Sequence, residues 1–373
     1  VFLEVLDERW PESPQASLAR RILPDYLRRG PVRFVANADV EMLVWRAGDQ
    51  VLPVVYREGA RSSCTTDLCS PWNHYVGYPL GEVNRRGRGL AALLRRSLLW
   101  GSIPLLHASR IDDVVSVNNW LLSTNPTVIL DRAAVGCLTS ALCEEFPGRA
   151  IVFRTVNPAI NAEFVAHLVA CGYSLVASRT VYLLDPGSLA YRQSADVRRD
   201  RKLLHDGNYE LVRHEGLCAA DMPRLAELHR LLYIEKHSPL NLNLSPLFFE
   251  TTWRNRFFEF QALRKEGCID AYVAFYELGG LLTSSLGGYD TRLPEELGLY
   301  RRSSALVTEE SCRRGLRLHW SAGAGAFKHH RGARPYVEYD AVFDRHLPLH
   351  RRAGWRLLKG AGVVQQRKVR RGW

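Results

Sequence analysis

Lysine is scarce in this chain, since only six of its 50 basic residues are Lys and arginine supplies the rest. Where a planar guanidinium is the default cation, a compact ammonium on a glycine-rich loop marks a placed point charge. Lys328, which follows Gly323, Gly325 and Phe327, is such a residue. Long apolar runs are missing too. No segment reaches the roughly 18 residues needed to cross a bilayer, and Glu4, Asp7 and Glu8 stand where a secretion signal would be basic and then apolar. A cytoplasmic protein without a membrane span is therefore expected. Eight cysteines scattered over 373 residues fit a reducing compartment better than a disulfide framework. Cys64 and Cys69, with His74 nearby, lack the two-residue gap and the second pair of a zinc site, so no metal is expected. No Gly-x-Ser-x-Gly elbow is present either, which leaves covalent acyl-enzyme chemistry without an evident nucleophile.

What the chain does contain describes a folded protein of ordinary apolar content, 46% of residues, and of a length at which two cores are expected. Its net charge of +11 creates a field that draws phosphate-bearing ligands, and nucleic acids and nucleotide cofactors both qualify. Apolar spacing predicts a first helix over 16–29, a hairpin of strands 40–45 and 51–56, and an irregular polar loop over 60–80. A helix over 88–100, strands at 104–107, 114–122 and 150–154, a helix over 159–170 and a strand over 179–184 follow. The basic, polar stretch 188–207 is taken as the boundary between units 1–187 and 188–373. Beyond it the same order returns: helices over 222–235 and 248–263, a hairpin of 270–277 and 281–286 turned by Gly279 and Gly280, a helix over 299–314 and a strand over 316–320. Repetition of hairpin, loop, helix and strand predicts duplication of one α/β unit.

In the second half, Gly287, Gly288, Tyr289 and Asp290, then Tyr300, Gly315, the glycines at 323 and 325, and the Phe327–Lys328 pair followed by Arg331 and Gly332 resemble the C-terminal domain of double-domain acyltransferases of the GNAT superfamily. That group includes the Fem-type aminoacyl transferases and the CelD-like acetyltransferases. The resemblance implies a mixed α/β (α+β) fold of two tandem GNAT-like domains, each a twisted, mainly antiparallel sheet flanked by helices. It also implies acyl transfer by direct attack on an activated donor, with Lys328 steadying the oxyanion and Phe327 shaping its pocket. Tyr289, Asp290 and Tyr300 then fall in the acceptor groove, Asp290 pairing with a cationic amine and Tyr300 giving a proton to the leaving group. Trp320, His319 and Lys236 complete the candidate substrate contacts. His319, His329 and His330 are close enough in sequence to act as general bases, since imidazole titrates near neutrality.

The donor forks. Asn84, Arg85, Arg86, Gly87 and Gly89 approximate the pyrophosphate loop of acetyl-CoA-binding members, with asparagine where Gln or Arg is expected, whereas the second half carries Glu295 and Glu296 at the matching place. If the donor is aminoacyl-tRNA, the arginines of 192–202 and 351–371 become phosphate contacts and binding weakens steeply with salt. If it is acyl-CoA, a local cluster suffices. The expected donor is a co-substrate of one of these two kinds, with no permanently bound cofactor, and the acceptor an amine or hydroxyl of a small molecule, peptide or cell-envelope precursor. A catalytically degenerate binding module is the reading from a different class.

Overall fold

The computed structural model describes residues 2–3, 10–58, 65–86 and 89–370. Among them twelve strands build one sheet. In chain order they are β1 (Phe2–Leu3), β2 (Glu41–Ala47), β3 (Gln50–Tyr56), β4 (Val114–Val117), β5 (Ala150–Val156), β6 (Ser174–Leu184), β7 (Glu210–Arg213), β8 (Glu259–Lys265), β9 (Cys268–Leu278), β10 (Leu281–Tyr289), β11 (Arg317–Ala322) and β12 (Arg334–Phe343). The order across the sheet is β1-β2-β3-β4-β5-β12-β6-β11-β10-β9-β8-β7.

That order has a two-fold plan. Each half contributes a hairpin, β2–β3 or β9–β10, and one parallel pair, β4–β5 or β10–β11, while every other neighbouring pair is antiparallel. Each half then hands its last strand to the other. β12 lies against β5 of the first half, β6 lies against β11 of the second, and β6 and β12 pair with each other from Arg334↔Leu183 to Val342↔Ser174. The duplication legible in the sequence is thus present, and the two units are joined through main-chain hydrogen bonds. Apolar packing joins them as well. Ile22, Tyr26 and Phe34 share a core with Leu225, Phe248 and Phe260, and the fully buried Trp120 lies 6.1 Å from Phe257.

Both hairpins form as their turns dictate, Gly48 at φ +59° and the Gly279–Gly280 pair at +60° and +74°. Other expectations are corrected. The first helix is two, Pro14–Arg20 and Leu23–Arg29, because Pro24 cannot continue a helix. The strand expected at 104–107 lies inside the helix Leu90–Ala108, which tolerates Pro104. The loop expected over 60–80 contains a π-helical turn, Asn73–Gly77, that runs into the helix Tyr78–Arg86. The aromatic helix expected over 248–263 stops at Arg254. Arg256 takes φ +51° there, and β8 follows with Phe260 and Ala262 turned into the core. Within the stretch 188–207, taken as the boundary, the chain forms two capped helices, Leu189–Gln193 and Ala195–Leu204, which leave that boundary untouched. The helix Arg132–Glu145, capped by Asp131, has no counterpart among the expected elements.

Candidate functional site

β11 delivers the site. After Ala322 the chain turns through Gly323 (φ +79°) and Ala324 (φ +48°) into a short helix, Gly325–His330, which folds back beneath the strand end. A Cβ at Gly325 would overlap the Tyr182 hydroxyl, so the close return needs glycine. Lys328 is therefore buried and not displayed on an open loop. Its Nζ donates to the carbonyl oxygens of Trp320, of Ala322 at 2.8 Å and of Ser321 at 3.4 Å. The rings of Tyr182 and Trp320 lie 5.6 and 5.8 Å from it. Burial, reinforced by the nearby Arg179, pulls the Lys328 pKa down to about 7.

A row of rings leads outward from this lysine. Trp320 meets Phe327 at 6.3 Å, Phe327 meets Tyr300 at 4.7 Å, and Tyr300 meets Tyr289 at 6.2 Å. The exposed Lys236 closes the row, its Nζ donating to the Tyr289 hydroxyl at 3.0 Å. Arg331 stacks on Phe327 with its guanidinium carbon 3.3 Å from the ring centroid, held by Asp200 at 2.6 Å. Burial raises the Tyr300 phenol, which keeps it protonated and able to donate. Six of the residues singled out from sequence, Lys236, Tyr289, Tyr300, Phe327, Trp320 and Lys328, are thus contiguous.

Two others are placed differently. Asp290 is pinned between Arg292, at 2.6 and 2.8 Å, and Arg224, at 2.9 Å. These hydrogen bonds, Arg292 first, hold its carboxyl well below the usual range despite burial, so its charge is already matched within the chain. Strand alternation turns His319 away from Leu318 and Trp320. Its Nδ1 accepts from the Ser321 N–H at 3.2 Å, and its Nε2 faces Glu338 at 3.7 Å. Of the phosphate-loop residues, Gly87 lies outside the described residues. Arg86 ends the helix Tyr78–Arg86, and Gly89 (φ +85°) stands at the N-terminus of the next helix, where among the described residues no atom beyond its chain neighbours lies within 4 Å of a Cβ placed on it. In the basic stretch, Arg198 donates to the Gln193 carbonyl, Arg199 pairs with Asp196 and Arg201 with Glu309, beside a cleft that Arg192 also lines.

Sequence reasoning missed a polar junction behind β11. Arg179 on β6 donates to Glu338 on β12 at 2.6 Å and to Thr124 at 3.1 Å, and Thr124 shares a hydrogen bond with Ser321 at 3.0 Å. Burial works against ionisation of Glu338, but Arg179 and His319 outweigh it and hold the carboxyl at about 2. These groups come from four separate segments, so no local pattern announces them. Left-handed backbone at Asn118, Leu121, Thr155, Ser321 and Ala324 marks the same region, and such strain persists only where the surroundings over-determine it. The adjoining cleft is lined by Asn118, Asn125, Asn157, Thr283, His319 and Glu338, among others. There Nδ2 of Asn157 and Nε2 of His319 are buried without a hydrogen-bond partner.

No family model matches the sequence, and no curated protein matches it. Solved structures do match. The C-terminal domain of an Agrobacterium fabrum protein described as a lysylphosphatidylglycerol synthetase covers 94% of this chain and 92% of its own, at a TM-score of 0.50 and 12% identity. The L-PGS structure from Bacillus licheniformis covers 86% and 90% at 0.50 and 11%. A FemX structure covers 83% and 89% at 0.49 and 8%. At such identities the likeness is one of fold alone, and it spans both halves of the chain.

Proposed function

We propose that the protein is an acyltransferase that moves an acyl or aminoacyl group from an activated donor to an amine or hydroxyl of a small molecule or cell-envelope precursor. The observation that carries this reading is the buried Lys328 at the foot of an aromatic row that starts at the exposed Lys236. Direct attack on an ester or thioester carbonyl develops an oxyanion, and one placed donor contributes about 3 kcal/mol to its stabilisation. The Lys328–Ser321 contact, 3.4 Å long, is the weakest of its three hydrogen bonds, and so the one that yields most cheaply to a substrate oxygen. As the acyl–nitrogen or acyl–oxygen bond forms and the donor's ester or thioester bond breaks, Tyr300, kept protonated, gives a proton to the leaving group and regains one from the attacking amine or hydroxyl. The row holds acceptor and donor in register, and no covalent intermediate is required.

Aminoacyl-tRNA is the donor we favour, on the arginine surplus and the Phe327–Lys328 pair, with acyl-CoA close behind. The name of the Agrobacterium neighbour, which describes an aminoacylated product, agrees with that choice. The test supplies purified protein with charged tRNA or with acyl-CoA and follows deacylation in the presence of candidate amines. With charged tRNA the rate should fall steeply as salt rises, and with acyl-CoA it should not. Lys328→Met should lower turnover by about 100-fold. Unchanged turnover in that variant would remove the oxyanion role. One observation favours a second reading, a non-catalytic binding module: all three Nζ protons of Lys328 already have carbonyl acceptors. Absence of transfer with every donor, in a protein that still binds charged tRNA or acyl-CoA, would establish it.

A further inference from the structure

The helix Leu90–Ala108 is apolar on the side that faces the protein and on the side that faces away. Leu106 is buried, and Ile103 packs beside it in a cluster with Ile111, Val152 and Trp355. Leu90, Leu93, Leu94, Leu98, Trp100 and Leu105 are nevertheless 40–74% exposed. At 3.6 residues per turn these six share one stripe about 160° wide, and Arg95 and Arg96 fall on its two flanks. A contiguous apolar face of this kind on a folded chain marks an interaction surface.

The charge around it identifies the occupant. From Val83 to Ile111 the sequence has no Asp or Glu but contains Arg85, Arg86, Arg88, Arg95, Arg96 and Arg110. The C-terminal helix Leu349–Arg370 packs against this helix and carries seven Lys or Arg and no acid. A second copy of the chain would set cationic flank against cationic flank, which costs free energy. Nucleic acid would satisfy the arginines yet leave the Leu and Trp stripe in water. A bilayer surface with anionic headgroups satisfies both at once. No helix among the described residues is long and apolar enough to cross a membrane, so this one would lie in the interface.

We infer that the helix Leu90–Ala108 docks the protein on the surface of anionic lipid bilayers. The leucines and Trp100 sink to the boundary of headgroups and acyl chains, and the flanking arginines meet lipid phosphates. This does not depend on the acyltransferase reading, because vesicle binding is measured without any donor or acceptor. The experiment is co-sedimentation of the intact chain with phosphatidylcholine vesicles, with and without phosphatidylglycerol. The wild type should pellet with the anionic vesicles, pellet weakly with the neutral ones, and be partly released by salt. Leu94→Glu combined with Leu98→Glu should weaken binding at least about tenfold while thermal melting stays unchanged, since both side chains are exposed. Arg95→Ser with Arg96→Ser should reduce the preference for anionic lipid, and an unchanged preference would overturn the role of these flanking arginines. The proposal fails if the wild type stays in the supernatant with both compositions at low salt, or if the double Glu variant binds as well as the wild type. It also fails if sedimentation velocity shows a dimer that the Glu variant dissociates without any vesicle binding, or if the chain retains RNA but no vesicles.

Discussion

Lys328 sets one pH dependence in folding and, in the proposed reaction, the opposite one. An amine whose folded pKa is about 7 against an ordinary value of 10.5 holds fewer protons when folded, so folding stability rises with pH through that window. The shift is of the order of 4–5 kcal/mol, and Lys328→Met should flatten the pH profile of urea midpoints between the two values. In the proposed reaction the dependence runs the other way. An oxyanion needs the ammonium, so kcat/KM should fall as pH rises above about 7, and Lys328→Arg should move that limb upward or abolish it. Glu338 behaves as the converse case. Its carboxyl lies at about 2 in the fold, so its contribution is present above the ordinary carboxyl range and is lost as pH falls toward 2. Glu338→Gln removes the anion opposite Arg179, leaving the partly buried guanidinium uncompensated, and should cost about 3 kcal/mol in chemical denaturation. Arg179→Met added to that variant should recover part of the loss, because the uncompensated charge goes with it.

The short helix Gly325–His330 works only because its exit is tight. Gly332 has φ +85°, and a Cβ there would lie 2.6 Å from the Tyr191 amide nitrogen, a main-chain atom that cannot swing aside. Gly332→Ala should therefore destabilise the chain by about 2–3 kcal/mol and release Lys328 from its carbonyl cap. Thermal melting measures the first effect, and exchange protection of the 321–330 amides measures the second. Elements whose apolar spacing and turn residues agree, such as the two hairpins and the helix Leu299–Arg314, are visible in the sequence. Where the two conflict, reading by pattern fails. Phe257, Phe258 and Phe260 continue the apolar run of the helix Pro246–Arg254, and only their packing against Phe248, Tyr272 and Tyr276 makes the next segment a strand.

On the scale of the molecule, the exchange of β6 and β12 couples the halves. A cut between residues 187 and 188, at the expected domain boundary, leaves β6 in one piece and β12 in the other. Each piece then keeps its own parallel pair but lacks the strand that pairs beside it. Neither should fold alone, as far-UV circular dichroism and size-exclusion chromatography would show, and co-expression of the two should restore a complex of full length. A piece 1–187 that is monomeric and cooperatively folded would show that the exchange is dispensable.

The sequence by itself determined the duplicated α/β plan and both hairpins, because each depends on local spacing or turn chemistry, and it named Lys236, Tyr289, Tyr300, Trp320, Phe327 and Lys328 as separate candidates that the fold then set in one row. The tertiary structure decided that Lys328 is buried and titrates near 7, that Asp290 is spent on two arginines, and that the two units share one sheet. It also assembled the Arg179–Glu338–Thr124–Ser321 junction from four segments. The physical reason is common to these cases. Burial and long-range pairing set the charge state and the partners of a side chain, and both are properties of residues distant in sequence, which no window along the chain contains.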